Sequence, residues 1–238
     1  MNKNTFEILN KYKDDIICLD LDNKYIITGI INVNNYIITG ILDVSRFTKL
    51  KKIICSHNNI NFLNNLPDNL EELTCNFNNI FCLENLPQKL KYLDCSNNYI
   101  ENLDNLPQNL IELNCSSNFI LSLNYLPSSI LKLKCTNNNI SNLDNLPSSV
   151  VKLNCANNKI KNLNNLPRNL ISLNCTNNYL SNLENLPIKL KELYCLNNYI
   201  SNLDNLPTNL LQLFCSGNKI NNLNNLKNLP KNLIYFIK

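Results

Sequence analysis

The chain has no tryptophan, one methionine, one histidine and only three glycines among 238 residues. A lone histidine excludes a His-rich metal cage. Three glycines exclude a glycine-rich phosphate loop, and none of the phosphate-loop spacings occurs. Charged residues make up 17% of the chain and the net charge is only +4, with no dense basic stripe interleaved with stacking aromatics, so no nucleic-acid partner is expected. Long apolar runs are missing as well. The stretch Tyr36–Leu42 ("YIITGIL") is far too short to span a bilayer, so no membrane role is expected. The opening "MNKNTFEILNKYKDD" lacks an apolar core followed by a small-residue cleavage site. The expected location is therefore a reducing intracellular compartment.

What is present is cysteine, asparagine and leucine at a fixed period. Cysteines stand at 55, 75, 95, 115, 135, 155, 175, 195 and 215. From Leu50 each block reads L-x-x-L-x-C-x-x-N-x-I-x-x-L-x-N-L-P-x-x, as in Leu90, Leu93, Cys95, Asn98, Ile100, Leu103, Asn105, Leu106 and Pro107. Nine copies run to Asn228, the last stretched by three residues, and "LIYFIK" from Leu233 to Lys238 is a truncated tenth. A repeat of this length signals a solenoid, since one block cannot bury its own apolar face. Leu93 and Cys95 are two apart and point to one side of an extended strand. The return segment is too short before Pro107 for a proper helix. It is expected to be extended, polyproline-like or a single tight turn.

This pattern resembles the leucine-rich repeat family, and the short period with "LP" before the next strand resembles the bacterial repeats of YopM- and IpaH-like effectors. Two features depart from those effectors. Cysteine stands where they carry Val or Leu, and Asp104, Asp144, Glu184 and Asp204 stand where a second proline is common. The Cys- and Asn-rich form is similar to repeat proteins of giant DNA viruses and amoebae, a likeness that bears on origin; the expected intracellular location is cytoplasmic, including the cytoplasm of a host cell. The fold class implied is a β-rich leucine-rich repeat solenoid, with short parallel strands on the concave face, an extended or turn-like convex side and few helices beyond an N-terminal cap.

The cysteine ladder Cys55, Cys75, Cys95, Cys115, Cys135, Cys155, Cys175, Cys195 and Cys215 occupies an inward strand position, where a free thiol packs as a small hydrophobe. Side chains pointing the same way on parallel strands meet poorly for a disulfide. No C-x-x-C or His pair suggests metal. The ladder is read as reduced and structural, with no cofactor. The asparagine ladder Asn58, Asn78, Asn98, Asn118, Asn138, Asn158, Asn178, Asn198 and Asn218 lies where the chain turns off each strand. An Asn side chain both donates and accepts, and so satisfies backbone groups on both sides of the turn. A second series, Asn65 to Asn225 with Tyr125 as the exception, is assigned to the convex turn.

Residues 1–49 break the period and form either a cap or degenerate repeats; residues 50–238 form the array. Thr5 is a candidate N-cap for a short helix, "IICLDL" reads as a strand, and "YIITGI" occurs at Tyr25 and Tyr36. The edge of "LIYFIK" is a candidate for self-association.

Little points to chemistry. Cys18-Leu19-Asp20 matches the C-x-D triplet of IpaH-like ubiquitin ligases, but it lies in an expected strand, where Cys18 is assigned to the core. His57 has no nucleophile at a suggestive spacing, and the sequon Asn174-Cys175-Thr176 falls on a buried strand. The expected activity is non-catalytic binding of a partner protein that the residues do not identify. Alternatives are a substrate-recognition component of a ubiquitin ligase pathway and a self-associating structural protein. The outward strand positions carry the site: Glu112, Asn114, Lys132, Lys134, Lys152, Asn154, Ser172 and Asn174, then Glu192, Tyr194, Gln212, Phe214, Tyr235 and Ile237. The candidate partner-binding residues are Lys132, Lys134 and Lys152 with Tyr194, Phe214, Tyr235 and Ile237. Grouped aromatics suit a protein interface; Tyr and Phe also simply favour strands.

Overall fold

The computed structural model describes residues 8–22, 37–220 and 229–237. Thr5, the first "YIITGI" and the stretched last repeat lie outside these, wholly or in part. Contacts divide the chain into two compact units, Met1–Phe119 and Ile120–Lys238. Each is a parallel β-solenoid with twenty-residue turns. At the N-terminus, Ile8 and Leu9 are helical.

In the first unit, strands β1 (Cys18–Asp20), β3 (Lys52–Ile54), β5 (Glu72–Thr74), β6 (Tyr92–Asp94) and β7 (Glu112–Asn114) lie side by side in parallel. A second pair, β2 (Thr39–Asp43) and β4 (Asn59–Asn64), forms a separate parallel sheet with a bulge after Gly40, whose φ of 79° suits a residue without Cβ. In the second unit, β8 (Lys132–Lys134), β9 (Lys152–Asn154), β10 (Ser172–Asn174), β11 (Glu192–Tyr194), β12 (Gln212–Phe214) and β13 (Tyr235–Ile237) follow in sequence order. No helix among the described residues is long and apolar enough to cross a membrane.

Each turn buries the same side chains because the strand alternates. Leu153 and Cys155 face inward, while Lys152 and Asn154 face out. After the bend, Ile160, Leu163 and Leu166 fill the rest of the layer. The chain then reverses through a turn in which the Leu170 amide donates to the Pro167 carbonyl at 3.0 Å. The same bond recurs from Leu70 to Pro67 and from Leu210 to Pro207, so each proline sits where its missing N–H is not needed. Among the described residues, the return segment contains no strand or helix from β5 onward within the array; it is a chain of such turns.

Asparagine abundance follows from four separate demands per turn. Asn158 is the bracket: its Oδ1 accepts the Ile140 amide at 3.0 Å, and its Nδ2 donates to the carbonyls of Cys135, Cys155 and Ala156 at 2.9, 3.0 and 3.1 Å. Asn157, just before it, is left-handed with φ 55°, and so is Asn165 with φ 63°. Asn tolerates that region because its short polar side chain bonds locally. Asn162 closes a small side-chain turn, its Oδ1 accepting the Asn164 amide at 3.2 Å. The acids Asp104, Asp144, Glu184 and Asp204 occupy the position of Asn164, with their amides held the same way by Asn102, Asn142, Asn182 and Asn202.

Residues before Leu50 supply a turn built on the same plan. Leu19 pairs in register with Ile53. The Leu21 carbonyl accepts from Asn58 Nδ2 at 2.9 Å, and the Ile38 amide donates to Asn58 Oδ1 at 2.8 Å, as cysteine and isoleucine do elsewhere. This register corrects one expectation. Cys18 is exposed, not in the core, because Leu19 takes the inward position of β1 and Cys18 lines up with Lys52 on the outward side. At the other end the inward residues of the last turn, Leu233 and Phe236, are only half-buried.

Candidate protein-binding surface

The two inward ladders are enclosed by the turns and engaged there. Cys55, Cys75, Cys95, Cys115, Cys135, Cys155, Cys175, Cys195 and Cys215 are buried and unbridged. Burial pushes the thiols of Cys55, Cys115 and Cys155 up to about 12, and those of Cys75, Cys95, Cys175 and Cys195 well above their ordinary value. Thiols held neutral in this way are poor nucleophiles. Several donate instead: Cys155 Sγ lies 3.4 Å from the Asn174 carbonyl and Cys175 Sγ 3.5 Å from the Tyr194 carbonyl. That weak bond separates a thiol from a Val methyl at this position. Asn58, Asn78, Asn98, Asn118, Asn138, Asn158, Asn178 and Asn198 are buried, and Asn218 is half-buried.

No group of His, Cys, Asp and Glu among the described residues is arranged to hold a metal. His57 is occupied: its Nδ1 is 2.9 Å from Asp22 Oδ1 and its ring stacks on Phe77 with centroids 4.6 Å apart. The Asp20 carboxylate accepts the Asp22 amide, so the C-x-D acid is engaged in a local turn.

The outward strand positions differ between the two units. In the first they are mixed in charge and largely paired internally. Lys52 Nζ contacts Glu72 Oε2 at 2.8 Å, and Asp94 accepts from the Ser96 amide, the Ser96 hydroxyl and Asn114 Nδ2. In the second unit the face changes character along the chain. Lys132, Lys134 and Lys152 are exposed around a shallow recess of about 270 Å³ that continues over Asn154, Ser172 and Asn174 to Tyr194. Beyond it, register puts Tyr194, Phe214 and Ile237 in one row across β11, β12 and β13. The Tyr194 and Phe214 rings stack at 4.7 Å and 6°, and the Tyr194 hydroxyl donates to Gln212 Oε1 at 3.1 Å. Each ring covers part of the other, so both are half-buried, whereas Tyr235 and Ile237 are exposed. Tyr235 lies in the adjacent row, beside Gln212.

Gln212 and the recess floor of Asn154, Ser172 and Asn174 were expected on the outward strand face but were not among the candidate partner-binding residues. Their signal was the twenty-residue register itself, which makes neighbours of residues far apart in the chain.

No family model matches the chain, and no curated protein sequence does. Solved structures do. YopM from Yersinia enterocolitica matches at 31% identity and a TM-score of 0.70 over 85% of this chain and 49% of that one. The functional domain of InlJ from Listeria monocytogenes, which includes a cysteine ladder, matches at 27% identity and 0.63 over 85% and 52%. A Shigella effector leucine-rich repeat domain matches at 31% identity and 0.53 over 58% and 64%. The chain thus spans about half the length of the YopM and InlJ structures. Stacked repeats of this kind present extended surfaces suited to protein interaction. With its strand–turn repeats, buried ladders and these neighbours, the chain is a leucine-rich repeat solenoid of the short, twenty-residue type.

Proposed function

We propose that the chain is a non-catalytic scaffold that binds a partner protein on the outward strand face of its second unit. Tyr194, Phe214, Tyr235 and Ile237 form the anchor. The observation that carries this reading is the row Tyr194–Phe214–Ile237, three large apolar side chains brought onto adjacent strands by register. Such rigid, partly solvated aromatics are what interface hot spots are made of. The test is chemical crosslinking and capture from cells with wild type and with Tyr194→Ala/Phe214→Ala. Both substitutions lie at outward strand positions, and circular dichroism is expected to show the fold intact. Loss of a specific partner supports the scaffold; an unchanged set of captured proteins refutes it.

A second reading is self-association through β13. Among the described residues β13 pairs only with β12, and Ile234, Tyr235 and Ile237 are exposed beside the half-buried Phe236. An uncovered edge with apolar flanks is a template for pairing. Light scattering over a range of concentrations tests it: a constant monomer mass removes this reading.

A further inference from the structure

We propose that the segments following each bend in the first unit bind a basic amphipathic helix of a partner protein, laid across the stacked turns. Its apolar side chains pack on the Phe62–Phe81 and Tyr99–Phe119 ring pairs, and its lysines or arginines meet Glu84, Glu101 and Asp104. This surface belongs to the other unit from the strand face proposed above, and the inference does not depend on that reading.

The first argument is an exposed apolar row. Ile41 stands in register with Phe62 across β2 and β4, and the Phe62 and Phe81 rings meet edge to face at 4.6 Å. On the following turns Tyr99 and Phe119 stack at 6.0 Å and 16°. All five side chains are exposed. Large apolar side chains grouped in this way on a surface mark an interaction site. The backbone beneath them is already paired: the amides of Asn79, Tyr99 and Phe119 donate to the carbonyls of Ile60, Ile80 and Ile100 at 2.9, 2.8 and 2.9 Å. Along these turns a ligand meets side chains rather than a free strand edge. A helix satisfies its own backbone and suits such a surface, whereas an extended peptide would lay unpaired amides and carbonyls over the rings. From Phe62 to Phe119 the row spans three steps of about 4.8 Å, roughly 14 Å in all. That is close to three helical turns of about 5.4 Å each.

The second argument is charge. Residues 58–66, 78–86 and 98–106, which run from each bend to the next proline, contain Glu84, Glu101 and Asp104 and no lysine or arginine. All three acids are exposed, and none of their carboxylates joins an ion pair among the described residues. The period sets Glu101 one turn on from Phe81 and Asp104 one turn on from Glu84. Glu84 and Phe62 line one small recess of about 50 Å³. The second unit shows what such rings accept. There Tyr179 and Tyr199 stack at 6.1 Å in the row equivalent to Tyr99 and Phe119, and Lys219 Nζ lies 4.9 Å from the centre of the Tyr199 ring. An ammonium is drawn to a ring face in this way. In the first unit the position one turn before Tyr99 is Asn79, not a lysine. A partner's lysine or arginine supplies the cation there. The same acids repel nucleic acid and anionic lipid.

The test is selection, on the full chain, of a phage-displayed library of random peptides about fourteen residues long. The expected enrichment is apolar residues at i, i+3 or i+4 and i+7, with Lys or Arg between them. A fluorescein-labelled peptide of the enriched sequence is then titrated. Phe81→Ala/Tyr99→Ala is expected to weaken binding at least tenfold, and so is Glu84→Gln/Glu101→Gln/Asp104→Asn, with thermal midpoints close to wild type. Asparagine already stands at the position of Asp104 in other turns, as Asn124 and Asn164, so that change fits the fold. Raising salt from about 50 to about 200 mM is expected to weaken binding severalfold, as screening predicts. Tyr194→Ala/Phe214→Ala is expected to leave it unchanged. If that variant abolishes binding instead, the peptide sits on the strand face of the second unit; this proposal then fails while the scaffold reading gains. No enrichment, enrichment of acidic or unpatterned peptides, or binding unmoved by either first-unit variant overturns the proposal. So does a concentration-dependent dimer that the acid substitutions return to monomer, which would put a second copy of the chain on the row.

Discussion

Replacing Asn158 by leucine tests whether the asparagine bracket, not leucine packing alone, holds the turns together. Leucine nearly conserves volume, so little cavity is added. Four contacts disappear. The Ile140 amide loses its acceptor at 3.0 Å and stays buried without a partner. The three carbonyls each keep another donor: Cys135 has Asn138 Nδ2 at 3.2 Å, Cys155 has Asn178 Nδ2 at 3.1 Å, and Ala156 has the Asn137 amide at 3.0 Å. An orphaned buried donor costs about 1–3 kcal/mol, and each weakened acceptor about 0.5 kcal/mol. The expected loss is about 3 kcal/mol, a large fraction of ordinary domain stability. Urea unfolding followed by tyrosine fluorescence measures it, since the chain has no tryptophan. The exposed neighbour Lys159→Ala is the control and should stay within about 0.5 kcal/mol. A loss below about 1 kcal/mol for Asn158→Leu would show that the bonds are replaceable by water or relaxation, and the bracket argument would fail.

Other outcomes follow from the same geometry. Native thiol labelling should modify Cys18 and the half-buried Cys82 while the nine ladder cysteines stay protected, and denaturant without reductant should release all eleven; a rapidly labelled ladder thiol contradicts the packing. The thiols of Cys55, Cys75, Cys95, Cys115, Cys155, Cys175 and Cys195 have folded values raised from 9.0, to about 12 for Cys55, Cys115 and Cys155, so above pH 9 the unfolded chain binds fewer protons than the folded one. Stability is therefore complete below about pH 9 and falls as pH climbs toward about 12, by up to about 1.4 kcal/mol per pH unit for each thiol. Urea midpoints across that range check it, and Cys155→Val should make the fall shallower. Tyr125 holds a left-handed φ of 66° that Asn holds in most other turns, and it is 81% exposed. Tyr125→Asn should stabilise by about 1 kcal/mol, read as a higher thermal midpoint; a lower midpoint would mean that the ring makes contacts worth more than the strain.

The sequence alone determined the turn. A period of twenty residues, alternation at Leu and Cys, and a proline before each strand are local signals, and each repetition confirms the others. Even the two left-handed positions were legible in principle, since paired asparagines such as Asn157-Asn158 and Asn164-Asn165 recur at the bends. The tertiary structure decided what stands beside what. Register laid Tyr194, Phe214 and Ile237 in one row, placed Lys132 beside Lys152, and turned Cys18 outward by aligning Leu19 with Ile53. It also brought Asp22 to His57, two residues that the twenty-residue period does not link. The physical reason is range. Which way a side chain faces depends on its nearest neighbours along the strand, but which residues share a surface depends on pairing between strands, and that is fixed only when the whole layer packs.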